Sequence, residues 1–197
     1  MITIQHQFHW HLRDVITVAI ISIFVGLMFV VSDWIYTLVY AILTPLGLGQ
    51  FVGEILFGLW CMGGPLAYMI VRLPGAPLLS EMIGALVESF AGGQFGIIAL
   101  VAGFFQGVGS ELGFASFKYR RFDVRSLTVA AILSTIITFA SALFIHGYIK
   151  FSLPMLAALF LTRLVSNLVF SVGLVTLIHR ILKRAHVLKV DQVSAHV

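Results

Sequence analysis

Apolar residues run along this chain in blocks long enough to cross a bilayer, and most polar positions fall between the blocks. A crossing helix needs about 20 mostly apolar residues. The first block is Val15 to Val31, closed by Ser32-Asp33-Trp34. A second follows the turn Pro45-Leu46-Gly47-Leu48-Gly49 and continues to Val71. Arg72-Leu73-Pro74-Gly75-Ala76-Pro77 breaks the pattern, because its prolines and glycine disfavour a continuous helix. A shorter helix is predicted from Leu78 to Ala91, stopping at Gly92-Gly93. The fourth covers Phe95 to Phe117, the fifth Leu127 to Ile145 and the sixth Pro154 to Ile181. Residues 34–44 are apolar but too short to cross alone, and read as a re-entrant or interfacial segment.

The expected fold is therefore an all-α integral membrane protein, a six-helix transmembrane bundle. Arg13, Arg72, the Lys118–Arg125 segment, Arg180, Lys183, Arg184 and Lys189 all fall on one side of it, and the opposite loops carry only Lys150. By the positive-inside rule both termini are cytoplasmic. This divides the chain into a cytoplasmic interfacial lead-in (1–14), a membrane domain (15–182) and a cytoplasmic tail (183–197). The first apolar run is span-length and lacks a small-residue cleavage site before Asp33, unlike a signal peptide. His6-Gln7-Phe8-His9-Trp10-His11 reads as a lead-in anchored by Trp10 rather than as a metal site, since no carboxylate or cysteine adjoins its histidines.

Composition narrows the function classes. Of 197 residues, 60% are hydrophobic and 10% charged, against about 25% charged in a soluble domain. No nucleotide-binding domain fits outside the spans, and neither a P-loop nor a Rossmann fingerprint is present. ATP hydrolysis, if needed, must come from another chain. The net charge of +4 is distributed as topology dictates and points to lipid, not to nucleic acid. Cys61 is the single cysteine and lies in an apolar run, as a small hydrophobe would. No cofactor or metal is expected.

Against this background Glu54, Glu81, Glu88 and Glu111, half of the eight acidic residues, stand inside apolar segments. A carboxylate at the bilayer centre costs roughly 2.5–3.5 kcal/mol on insertion scales, so each is expected to face protein or a polar cavity. Glu54 and Glu88 fall toward the outer side, with Trp60 about 9 Å deeper than Glu54 at the helical rise, and Gln94 lies in the outer turn. Glu81 shares a face with Glu88, seven residues on, but lies toward the cytoplasm, as does Glu111; Gln106 is near mid-membrane. Glu81 is a candidate for the cavity or for a partner such as Arg72, and Glu111 for the cavity or for Lys118 or Arg120. Asn167, one turn from Arg163, either bridges helices or contacts substrate, and Arg163 is a counter-charge for a membrane glutamate. Gly103-x-x-x-Gly107, Gly109-x-x-x-Gly113 and Ser22-x-x-x-Gly26 allow close helix approach. They serve either packing within the chain or, at Ser22 and Gly26, contact with another membrane subunit.

The string Glu54-x3-Gly58-x-Trp60, Arg72-x-Pro74-Gly75-Ala76, Glu81-x6-Glu88, Gln106-Gly107-x-Gly109-x-Glu111 resembles the YkoE-like S-components of energy-coupling-factor transporters, the thiamine and hydroxymethylpyrimidine branch of vitamin uptake. The resemblance covers about residues 13–185. It implies a prokaryotic plasma-membrane subunit that captures thiamine or its hydroxymethylpyrimidine precursor from outside. Such a subunit releases its cargo inward with a transmembrane coupling subunit and paired ABC-type ATPases. It also implies that the Ser22–Gly26 surface contacts the coupling subunit, although the family's Ala-x-x-x-Ala pattern is absent.

The chemistry suits such a ligand. A carboxyl group accepts from the exocyclic amine of an aminopyrimidine and shares a proton with the adjacent ring nitrogen, and an indole stacks on the ring or attracts a thiazolium cation. Glu54 and Glu88 are therefore expected to recognise polar edges, Trp60 to stack, and Gln94 and Gln106 to orient, with Glu81, Glu111 and Asn167 as further candidates. The competing reading is a self-sufficient proton-coupled transporter with a glutamate as carrier; six helices without an inverted repeat weigh against it. No HExxH or GxSxG motif suggests an intramembrane enzyme.

Overall fold

The computed structural model describes residues 8–185, which are helical almost throughout. α1 runs unbroken from Leu12 to Leu43, 32 residues. Residues 34–44 are expected as a separate re-entrant or interfacial piece, but 34–43 are instead the last turns of α1 and Thr44 begins the short turn that follows. The Ser32-Asp33 polar pair does not end the helix because both residues are buried against the rest of the chain. Ser32 donates back to the Met28 carbonyl at 2.9 Å, and Asp33 finds donors on other elements. Just before α1, the Trp10 indole donates to the Pro74 carbonyl at 3.2 Å. Asp14 starts the helix by accepting the His11 backbone N–H at 3.0 Å.

The second span is broken in two, α2 (Val52–Trp60) and α3 (Gly63–Val71). Pro65 is the cause. It has no N–H to donate to the Cys61 carbonyl four residues back, and that carbonyl accepts from Ser171 Oγ at 3.0 Å instead. At the new helix start the Gly64 N–H donates to Glu81 at 2.7 Å, a carboxylate set at the positive end of α3. The Arg72–Pro77 break then turns the chain into α4 (Ala76–Phe90). Gly75 there holds φ +85, a conformation that L-residues with a Cβ seldom adopt.

α5 (Ile97–Ala115), α6 (Val124–Ile145), α7 (Leu153–Asn167) and α8 (Val175–Arg184) complete the bundle. Asp123 caps α6 by accepting the Ser126 N–H at 3.0 Å. α7 and α8 form one rod through a π-helical stretch, Leu168–Leu174. Among the described residues, five segments are long and apolar enough to cross a membrane; α4, at 15 residues, is short of the usual length.

Lipid is as apolar as leucine, so close packing rather than hydrophobicity holds such helices together. The glycine pairs provide it. A Cβ on Gly103 would meet Ala85 at 2.9 Å and one on Gly107 would meet Leu78 at 2.8 Å, so this pair seats α5 on α4. Gly109 and Gly113 face Ser134 and Ala130 and seat the same helix on α6. Ser22 and Gly26 do likewise for α1 and α4. Ser22 is fully buried and donates to Ser80 at 3.2 Å, and a Gly26 Cβ would lie 2.6 Å from the Gly84 carbonyl oxygen. The expectation that Ser22 and Gly26 face a partner subunit is corrected here, since the chain's own α4 fills that groove.

Candidate functional site

A cavity of about 440 Å³ opens among α1, α2, α4, α5, α6 and α7, at the end of the bundle away from the basic loops. Its aromatic wall comes from three elements. Tyr36 of α1, Trp60 at the end of α2 and Phe95 of the α4–α5 turn pack on one another, with ring centroids 5.5–6.0 Å apart. Trp60 and Phe95 meet edge to face at 86°, a favourable aromatic geometry.

The first polar group is a carboxylate saturated by its neighbours. Glu54, 1% exposed, takes two hydrogen bonds from the Arg163 guanidinium, one from Nη2 at 2.8 Å and one from Nε, and a third from Tyr148 Oη at 2.7 Å. Arg163 is also held by its flat faces, over Phe57 at 4.6 Å and Phe139 at 5.3 Å. Tyr148 belongs to the short helical turn Tyr148–Lys150 after α6, where burial first and then Glu54 push its phenol above the ordinary value. Beside it, burial and the Arg163 charge hold the His146 imidazole below its ordinary value, with Glu54 pulling the other way.

The second polar group is less satisfied. Glu88, 4% exposed, lines the cavity and adjoins the Asp33 carboxyl; no basic side chain pairs with it among the described residues. Asp33, 1% exposed, accepts from the Trp60 indole N–H and from the Gln94 backbone N–H, both at 3.0 Å. The two carboxyl groups hydrogen-bond to each other, as neighbouring carboxyls do when they share a proton rather than both carrying charge. The Gln106 side chain completes the lining.

The structure thus brings Glu54, Trp60, Glu88 and Gln106 to one cavity and places the other candidates elsewhere. Gln94 stands behind the wall, its amide donating to the Asp33 carbonyl at 2.9 Å and accepting from Thr37 at 3.2 Å. Glu81 caps α3, accepting the Gly64 N–H. Glu111 takes the Gly75 N–H and the Tyr119 hydroxyl, both at 2.7 Å, rather than Lys118 or Arg120. Asn167 bridges helices: its amide donates to the Ala131 carbonyl at 2.9 Å and to Thr135 Oγ1 at 3.1 Å. Asp33, Tyr148 and His146 escaped the sequence reading. Asp33 carried a signal there, an acid flanked by long apolar runs, but it stood where a helix end was expected.

The comparisons with known proteins fit this geometry. Residues 13–137 match the model of the family described as ABC-type cobalt transport system, permease component. The chain belongs to that family. A Bacillus subtilis (strain 168) relative, YkoE, provisionally named an HMP/thiamine permease protein, is 29% identical over 164 residues, 80% of this chain and 77% of its own. A crystal structure of an S-component of an ECF transporter superposes with a TM-score of 0.86 at 25% identity, over 94% of this chain and 92% of that one. The resemblance read from the Glu54-to-Glu111 string is borne out. This family member has the S-component fold, is a multi-pass plasma-membrane protein and is a transporter subunit rather than an enzyme.

Proposed function

We propose that this chain captures thiamine or its hydroxymethylpyrimidine precursor from outside in the cavity between Trp60 and Glu88. It then releases the ligand to the cytoplasm with a transmembrane coupling subunit and ABC-type ATPases that supply the hydrolysis. The observation that carries this reading is an aromatic wall beside a cavity-lining carboxyl that has no basic partner among the described residues. A flat, amine-bearing or cationic heterocycle is stabilised by both at once. The name of the Bacillus subtilis relative supports the same ligand class.

In this reading Glu88 accepts from the ligand's amine, Trp60 stacks on its ring and Gln106 orients it. Glu54 acts through Arg163, since its own oxygens are already taken. Gln94 supports the wall, and Glu81, Glu111 and Asn167 hold the helices in place. The family's description speaks of cobalt, but no group of three His, Cys, Asp or Glu side chains that could hold a metal ion exists among the described residues. The aromatic wall of Tyr36, Trp60 and Phe95 supports a flat organic ligand instead. The topology we propose has six crossings, α4 being a short third one, with both termini cytoplasmic. The basic residues at the Arg72, Lys118–Arg125 and Arg180–Arg184 ends support it.

The test is native mass spectrometry of ligand retained by the purified chain, followed by thiamine and hydroxymethylpyrimidine titrations. Tight binding that Glu88→Gln weakens at least about tenfold, as loss of a charge-assisted hydrogen bond entails, supports the assignment. No retained heterocycle and no response to either compound overturns it.

A further inference from the structure

Asp33 lies behind the cavity wall rather than on it, and its two carboxylate oxygens are divided between two wall elements. Oδ1 takes the Trp60 indole N–H from α2, and Oδ2 takes the Gln94 N–H from the α4–α5 turn, each at 3.0 Å. The Asp33 backbone carbonyl takes the Gln94 side-chain amide as well, at 2.9 Å. One turn along α1, Tyr36 packs against both Trp60 and Phe95, so α1 touches the wall twice on one face. The turn itself runs between Gly92 and Gly96, which hold φ +92 and +55. It carries Phe95, whose ring closes edge-on against Trp60. Glu88 adjoins the same carboxyl group.

We propose that Asp33 is the positioning residue of the cavity. It clamps the Trp60 ring to the Gln94–Phe95 turn, and that clamp must release for the turn to swing and let ligand in or out. Asp33 acts through Trp60 and the turn and does not touch ligand. The inference rests on the cavity being the ligand site.

The clamp makes a kinetic prediction that neither a ligand contact nor a merely structural residue shares. Asp33→Asn keeps an acceptor for Trp60 but can turn an amine toward the Gln94 N–H. With thiamine and hydroxymethylpyrimidine as probes, it is expected to raise association and dissociation rates together. Each should rise about tenfold, the scale of one hydrogen bond to a charged group. In ligand-free protein the same substitution should accelerate amide hydrogen exchange across residues 91–96. Trp60→Phe, which removes the indole N–H while keeping a smaller aromatic ring and leaves both Asp33–Gln94 hydrogen bonds in place, should leave that exchange slow.

Faster dissociation with unchanged association would make Asp33 a ligand contact and overturn the clamp. A lower melting temperature with both rates unchanged would make it structural only and overturn it equally. If wild-type protein binds neither probe, the ligand assignment fails while the exchange measurement still decides the clamp: slow exchange in Asp33→Asn sinks it.

Discussion

Arg163 of α7 and Glu54 of α2 form a two-pronged ion pair inside the bundle, joining segments 109 residues apart in sequence. The Tyr148 hydroxyl adds a third donor from the α6–α7 connection. Both charged side chains are almost fully buried, so each is stabilised chiefly by the other. Breaking a buried pair by removing one partner costs about 3–5 kcal/mol, because the survivor is left charged and unpaired. Arg163→Ala and Glu54→Ala are each expected to lower the melting temperature of detergent-solubilised protein sharply. The double variant Glu54→Leu/Arg163→Met should be far less damaging than the sum of the single changes. Additive losses in that cycle would contradict the pairing.

His146 makes stability depend on acidity. Its folded value lies below that of a free imidazole, chiefly through burial and then through the Arg163 charge. The sign follows: the neutral ring's contribution is complete above the unfolded value of about 6.5 and is lost as pH falls through the folded one. Wild-type protein is expected to lose thermal stability between pH 7 and pH 5, and His146→Gln to flatten part of that slope. An identical slope in the variant would remove His146 from the account.

How much of this was legible in the sequence depends on the range of each interaction. Hydrophobic blocks are local, so the helices fell near their expected places, and the glycine pairs announced close packing without naming the neighbour. Glu54, Trp60, Glu88 and Gln106 reached one cavity because helical rise gives depth directly. The Arg163–Glu54 pair was half visible, since a membrane arginine demands a counter-charge but not a particular one. The break at Gly63-Gly64-Pro65 was written in the chain, yet the span was read as continuous; noticing it would have asked what caps α3, and Glu81 is the answer. Asp33 was misread because a polar pair inside an apolar run ends a helix unless tertiary donors reach it, and those come from residues 60 and 94.

The α1–α4 seam gives a packing prediction. A Cβ on Gly26 would stand 2.6 Å from both the Gly84 carbonyl oxygen and Val87 Cβ, and helix backbone does not yield as a side-chain tip does. Gly26→Val is expected to destabilise the fold by roughly 1–3 kcal/mol or more, the range for overpacking. Ile23→Ala, half exposed on α1, should cost much less. Equal melting temperatures for wild type and Gly26→Val would show that the helices do not meet here.

Glu111 ties two connections at the basic end of the bundle, receiving the Gly75 N–H from the α3–α4 turn and the hydroxyl of Tyr119 after α5. Burial and then this carboxylate hold the Tyr119 phenol above its ordinary value, as a donor to an anion should be. Tyr119 itself sits at φ +55, beside Lys118 at φ +53, so the turn is held in a left-handed backbone form that costs of order 1–3 kcal/mol per residue without support. Glu111→Leu removes the one oxygen, Oε1, that accepts both hydrogen bonds and should release this turn. Both donors are only part-buried, so stability is expected to fall by at most about 1–3 kcal/mol for each one left without a partner, while ligand affinity stays within about twofold because Glu111 lies outside the cavity lining. Glu111→Gln keeps one oxygen as acceptor and should recover part of the stability. A large loss of ligand affinity in Glu111→Gln, with melting temperature unchanged, would instead return Glu111 to the binding site.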